Sequence, residues 1–250
     1  MDRRRRAVTA PADRGLLEPP AVVRLGTVGS TQTEAFALAA RGAPDGTVVV
    51  ADHQRAGRGR RGRSWLDAAG QSLLVSIVVR PRLAPPRLPL LSYAAAVAVA
   101  EALAGAGLAA RLKWPNDVLV GGRKIAGILL ETRGPGPVAT VVGIGINVGR
   151  DAVPPGLADR ATSVEAEGGA ADREALLRGL LGAFDAWRRR LEAEGFDPVR
   201  VRWLALSDTV GRQVAVDGAR GTAVDLDADG ALVLEAAGAR RRVVAGELAE

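Results

Sequence analysis

The sequence predicts an α+β protein: a mostly antiparallel sheet carrying helices, followed by a small all-β appendage. Three observations predict it. Short apolar strands, rich in Val and Ile and bounded by turn residues, recur between residues 21 and 146. Ala- and Leu-rich stretches of helical length separate or follow them. Past Leu206 the helical stretches cease, and short alternating segments follow, punctuated by Gly218, Gly221, Asp229-Gly230 and Gly238.

The elements follow in order. Residues 1–20 form a flexible lead-in, and 21–25 a short strand. Thr31 and Glu34 have capping-box spacing, and Gly42 suits a C′ position, which places a short helix between them. Residues 47–52 are a Val-rich strand, 54–70 a Gly/Arg loop and 72–80 another strand. Residues 90–104 make a buried Ala-rich helix that Gly105 and Gly107 stop. A strand over 110–113 leads into the turn Trp114-Pro115-Asn116-Asp117. Strands 118–120 and 124–131 flank Gly121-Gly122, the signature of a tight hairpin. A strand over 138–146 contains Gly143 and Gly145, and interior glycine marks close approach by a ligand or another backbone. Helices follow at 172–194 and 198–205, then strands at 210–216, 222–226, 231–235 and 240–244, which make a small barrel. The expected division is a tail over 1–20, a main domain over 21–205 and a β module over 206–250.

Composition narrows the function. Apolar residues make up 48%, enough for a packed core. No apolar run reaches the roughly 18 residues that span a membrane. There are no cysteines, which excludes disulfides, thiolate metal sites and cysteine nucleophiles. One histidine, His53, cannot build a multi-histidine metal site; it is expected at a pocket edge or on the surface. Arg3 to Arg6 resemble the start of a secretory signal, but no apolar stretch follows, so a cytoplasmic location is expected. The net charge of +6 and pI of 10.9 permit a nucleic-acid or phosphate-bearing partner.

Much of the excess charge lies in two runs, Arg3 to Arg6 in the N-terminal tail and residues 55–63. In Gly57-Arg58-Gly59-Arg60-Arg61-Gly62-Arg63 the glycines permit φ > 0 and close backbone approach, and the arginines supply forked, permanently charged donors. The combination suits a phosphate or carboxylate; a nucleic-acid contact and a solvated loop are the other readings. It is not a P-loop, since no Gly-Lys-Ser/Thr follows. Asn116 and Asp117, at a strand-joining turn, either form the turn or position a metal-bound nucleotide. Lys124, opening an apolar strand, is either a surface residue or a point charge aimed at a reacting carboxyl or phosphate.

Together these segments resemble the catalytic domain of biotin–protein ligases over residues 22–250. The markers are Ser30-Thr31-Gln32, residues 54–65, Lys113-Trp114-Pro115-Asn116-Asp117, residues 124–131 and Gly143-Ile144-Gly145-Ile146-Asn147. The resemblance implies a mixed sheet related to class II aminoacyl-tRNA synthetases, with an SH3-like C-terminal domain. It implies ATP, Mg²⁺ and biotin as reactants, and a biotin carboxyl carrier protein as the acceptor. Biotin is expected beside Ser30, Thr31, Gln32 and Gln54, with Gly57, Gly59, Gly127 and Gly143 leaving room. Arg58 and Arg60 are expected at the biotin carboxylate and α-phosphate, and Lys124 at the adenylate. Arg63, Asn116, Asp117 and Asn147 are expected on the nucleotide side, with Trp65 over the adenine; Lys124 and Arg60 are the expected catalytic pair. Relatives that repress transcription carry an N-terminal winged helix. About twenty residues precede the first strand here, so no sequence-specific DNA binding is expected. Nor is membrane association, and the expected assembly is a monomer or weak homodimer. Ser64 stands where a basic residue is common in relatives. A lipoate–protein ligase and an Arg/Gly nucleic-acid binder are the competing readings.

Overall fold

A computed structural model describes residues 21–134, 139–246 and 248. The predicted lead-in over 1–20 and Val138, the predicted start of a strand, lie outside them. Seven strands form the main sheet: β1 (Val22–Val28), β2 (Val48–Gln54), β3 (Ser72–Val79), β4 (Arg111–Lys113), β5 (Asp117–Val120), β6 (Arg123–Arg133) and β7 (Ala139–Asn147). Their order is β1-β2-β3-β7-β6-β5-β4. Every neighbouring pair is antiparallel except β1 and β2, which run parallel. The helix α1 (Thr31–Ala40) makes the crossover that a parallel pair requires. Val120 pairs with Arg123, so Gly121 (φ 57°) and Gly122 (φ 78°) alone close the β5–β6 hairpin, as that dipeptide predicts.

Helices α2 (Leu91–Gly105), α3 (Arg173–Glu194) and α4 (Asp197–Leu206) pack on one another, and α2 and α3 also pack on the sheet. α2 is long and apolar enough, with the preceding turn, to pass for a membrane span, but most of its side chains are buried inside the protein. α3 shows the amphipathic spacing directly: Leu176, Leu177, Leu180, Phe184 and Leu191 are buried, and Asp172 caps its first turn. The other face of the sheet is covered at one end only, where α1 packs Ala35, Phe36 and Ala39 on Val49, Val78 and Val141. β3 is buried on both faces and therefore reads as a near-continuous apolar run.

Four strands form a second sheet: β8 (Gln213–Val216), β9 (Ala219–Leu226), β10 (Leu232–Ala236) and β11 (Ala239–Val243), ordered β11-β10-β9-β8 and antiparallel throughout. Leu248 bridges back to Val216, returning the chain to β8 as a small SH3-like barrel requires. β8 begins at Gln213 rather than at Val210, because Ser207 to Arg212 are used to join the two sheets. Asp208 N donates to Leu112 O at 2.8 Å, and Trp114 N to Thr209 Oγ1 at 2.9 Å.

Tyr93, the chain's only tyrosine, ties α2 to both sheets. Its hydroxyl donates to Gly230 O and accepts from Trp114 Nε1 at 3.0 Å. Burial pushes its pKa up to about 12, against the opposing effect of the Trp114 hydrogen bond. The unfolded phenol ionises near 10, so Tyr93 contributes stability that is fully present below pH 10 and is lost as pH rises towards 12. We expect Tyr93→Phe to cost about 1–3 kcal/mol at neutral pH, since a buried indole N–H and a carbonyl lose their partner. The variant should also lack the wild-type loss of stability between about pH 10 and pH 12. Urea melts across that range check it; identical pH slopes for the two proteins would refute the assignment.

Candidate active site

The part of the sheet face that α1 leaves uncovered carries a cavity of about 180 Å³. Its floor is glycine. Gly127 pairs with Gly145, and Gly143 pairs with Leu129 on one side and Ser76 on the other. Residues opposite one another on antiparallel strands share a face, as do Gly143 and Gly145, two apart on β7. The result is a trough floored by three glycines, with Ser76 and Leu129 at its sides. A Cβ on Gly143 would lie 2.6 Å from Gln32 Oε1, and one on Gly145 2.6 Å from the Trp65 ring.

The first wall is the N-terminus of α1. Ser30, not Thr31, is the N-cap: its Oγ accepts from Gln32 N at 3.3 Å. The expected Thr31/Glu34 capping box is therefore not formed. This frees Thr31, whose N and Oγ1 donate to Gln54 Oε1 at 2.8 and 3.0 Å. Gln32 Nε2 donates to Leu129 O at 3.1 Å and to Val141 O at 3.3 Å. Ser76 Oγ lies 2.9 Å from Thr31 Oγ1 and 3.0 Å from Gln32 Oε1. The whole wall is buried and hydrogen-bonded, and so rigid.

The opposite wall is charged. Lys124 Nζ lies 2.7 Å from Asp117 Oδ1 and 5.7 Å from the centre of the Trp65 ring. Asn116 accepts from Arg60 Nη1 at 3.3 Å and donates to Ile128 O at 2.8 Å. The Gly/Arg loop closes the top. It is a small hairpin, with Gly59 N donating to Arg63 O at 2.7 Å and Trp65 N to Gly57 O at 3.0 Å. The backbone freedom predicted for its glycines is used unevenly: Gly62 has φ 74°, but so does the non-glycine Arg61 at 53°. Gly57 is needed instead for space, because a Cβ there would meet Trp65 O at 2.5 Å. Arg61 reaches Asp217, in the β8–β9 turn, with both terminal nitrogens. Arg58 pairs with Glu131 at 3.0 Å. Arg58 Nε and Trp65 Nε1 are buried donors that no protein acceptor meets.

The structure thus gathers Ser30, Thr31, Gln32, Gln54, Arg58, Gly59, Arg60, Arg63, Trp65, Asn116, Asp117, Lys124, Gly127 and Gly143 around one cavity. It does not place Gly57 or Asn147 there. Gly57 packs under the Trp65 backbone, and Asn147 is buried, donating from Nδ2 to Thr162 O at 3.0 Å. Gly145, expected as a point of close approach, lines the cavity too, and so does Ser76, which the sequence reading did not single out. Ser76 left one signal, a lone hydroxyl inside the apolar run of β3. His53 is partly exposed beside the cavity and pairs with Asp67.

Comparison with known proteins agrees with this geometry. Residues 27–150 match the biotin/lipoate A/B protein ligase family, and residues 209–248 match the biotin protein ligase C-terminal domain. The biotin--[acetyl-CoA-carboxylase] ligase of Paracoccus denitrificans is 41% identical over 238 residues, covering 90% of this chain and 98% of that protein. The biotin protein ligase of Aquifex aeolicus, solved with biotin and ATP, superposes with a TM-score of 0.80 at 29% identity, covering 92% of this chain and 97% of the other. The Leishmania major biotin protein ligase, solved with biotinyl-5-AMP, superposes with a TM-score of 0.57 at 28% identity, covering 91% of this chain and 100% of the other. With the family's two segments in order, and that identity along nearly its whole length, the chain belongs to the biotin protein ligase family.

Proposed function

We propose that the protein joins biotin to ATP, forming biotinyl-5′-AMP and pyrophosphate, and then transfers the biotinyl group to a lysine of a biotin carboxyl carrier protein, releasing AMP. The observation that carries this is the cavity itself: a glycine-floored trough beside a rigid row of amides and hydroxyls, closed by cations. A flat, neutral ring system fits the trough, with Thr31, Gln32 and Gln54 meeting its polar head. The unmet donors Arg58 Nε and Trp65 Nε1 suit acceptor-rich substrates.

In the first step a biotin carboxylate oxygen attacks the α-phosphorus, and the bond to the pyrophosphate oxygen breaks. Two anions must approach, so Arg58, Arg60 and Lys124 are assigned to cancel their repulsion and stabilise charge growing at phosphorus. Arg63, Asn116 and Asp117 are assigned to the nucleotide; Asn147, outside the cavity, acts at most by holding the Thr162 segment. No cluster of three metal-ligating side chains occurs among the described residues. Mg²⁺ would be carried mainly by the triphosphate, whose charge the cation would offset, with Asp117 as the carboxylate that lines the cavity and could hold it. Trp65 and the loop exclude water from the mixed anhydride. In the second step the carrier amine attacks the acyl carbon, AMP departs with the electron pair, and the amine proton goes to solvent. The same cations hold the departing AMP.

We assign residues 21–205 to this chemistry and 206–250 to a module that holds the loop through Asp217. A cytoplasmic setting and a monomer or weak homodimer complete the reading. Incubating the protein with ATP, Mg²⁺, an apo carrier domain, and biotin or lipoate tests it. A carrier mass raised by one biotinyl group is expected; lipoyl transfer, or no transfer, would overturn it. Arg60→Ala is expected to raise escape of the adenylate into solution by roughly 10²-fold, because Arg60 bonds the Asn116 turn across the cavity mouth. Gel filtration of the loaded protein measures the escape, and wild-type retention would refute the role.

A further inference from the structure

The cavity loop leaves β2 at Gln54 and comes back at Leu66. Its two ends are joined by a pair that the chemistry above does not use. Asp67 Oδ2 lies 2.8 Å from His53 Nδ1 and 3.3 Å from Gln54 N. The Asp67 side chain is wholly buried, while that of His53 is 31% exposed. Asp67 Oδ1 is buried with no hydrogen-bond partner. A buried carboxylate with one oxygen unmet is costly, and surfaces rid themselves of such groups unless something holds them. Here the holding contacts all fall on Oδ2, and both come from the end of β2. Gln54 N donates to this same oxygen, and His53 Nδ1 is assigned as its second donor.

We propose that His53 and Asp67 are positioning residues: a clasp at the neck of the loop that fixes Gln54 and Trp65 for biotin. Gln54 is gripped from two sides. Asp67 holds its backbone N–H, and Thr31 donates twice to its side-chain oxygen. Trp65, whose ring lies over Gly127 and Gly145, is two residues from Asp67, so the clasp sets where the returning chain enters the trough. The strand beneath is anchored independently: Gly70 N donates to Asp52 O at 2.8 Å, and Arg173 pairs with Asp52 at 3.0 Å. Loss of the clasp therefore loosens the loop and leaves the sheet in place. Neither residue lines the cavity.

The inference deepens the biotin-ligase reading and rests on it, so the test separates the two. In full-length protein, His53→Ala and Asp67→Ala are expected to raise the biotin KM about five- to tenfold, with kcat within about twofold of wild type. Tryptic cleavage at the loop arginines, without substrates, should be about fivefold faster or more. His53→Asn, whose amide nitrogen can replace Nδ1, should restore both readings. The double alanine variant should be no worse than Asp67→Ala alone, since losing Asp67 already removes the one contact His53 makes in the clasp. An unchanged biotin KM and unchanged loop cleavage in Asp67→Ala would overturn the clasp. So would a fall in kcat and melting temperature with KM unchanged, or failure of His53→Asn to rescue. Failure of wild-type biotin transfer would overturn the ligase reading alone, because loop cleavage needs no substrate.

Discussion

Replacing Lys124 by alanine is expected to abolish adenylate formation, lowering biotin-dependent pyrophosphate exchange by about 10³-fold or more. The size follows from where the charge sits. The Lys124 backbone is fixed on both sides, its N donating to Arg160 O at 2.9 Å and its O accepting from Thr162 N at 2.8 Å. A rooted stem thus presents a compact ammonium beside Asp117, Trp65 and the glycine trough. Nothing else on β6 offers a positive charge to the cavity. The stability cost should be small by contrast. The side chains of Lys124 and Asp117 are 36% and 26% exposed, and a pair of that kind contributes at most about 1 kcal/mol. Activity and stability should therefore separate, with exchange lost while the melting temperature stays near wild type. Lys124→Arg should rescue poorly, because a planar fork cannot occupy the place of a point charge under the Trp65 ring. Exchange at the wild-type rate in Lys124→Ala would remove Lys124 from the mechanism.

Much of this site was legible because its parts are local. The Gly121-Gly122 hairpin, the Gly/Arg loop and the strand-opening Lys124 each announce themselves within a few residues, and their order along the chain carried the resemblance. What the sequence concealed depends on register. Gly143 and Gly145 read as a place of close approach, but only the pairing of β3, β7 and β6 puts Gly127 and Ser76 beside them on one face. The α1 cap was misplaced by one residue because Ser30 and Thr31 are equally good caps. The structure chooses Ser30, since Thr31 is drawn to Gln54, twenty-three positions away. Asn147 continues the Gly143 motif in sequence, yet four residues along a strand carry it beyond the cavity, where Thr162 satisfies it. The His53–Asp67 pair was invisible for the same reason: fourteen positions of chain separate two side chains that meet only after the loop closes.

The trough gives the second large effect, and it comes from adding one methyl group. Gly143→Ala is expected to weaken biotin binding by about 2 kcal/mol, roughly 30-fold. The new Cβ would stand 2.6 Å from Gln32 Oε1 and 3.3 Å from Leu129 O. Gln32 cannot step aside freely. Its Nε2 bonds to Leu129 O and Val141 O, its Oε1 takes the Ser76 contact, and the side chain is buried. Moving it breaks hydrogen bonds in a place water cannot reach, at about 1 kcal/mol or more for each one lost. Gly145→Ala is the informative contrast. Its Cβ would meet the Trp65 ring at 2.6 Å, but Trp65 belongs to the loop and can withdraw with it. A floor lesion should therefore reduce biotin affinity directly, whereas a lesion under the loop should chiefly speed escape of the adenylate. Calorimetry of biotin binding, beside adenylate retention for both variants, distinguishes them. Wild-type biotin affinity in Gly143→Ala would mean that Gln32 is not the fixed wall its hydrogen bonds describe.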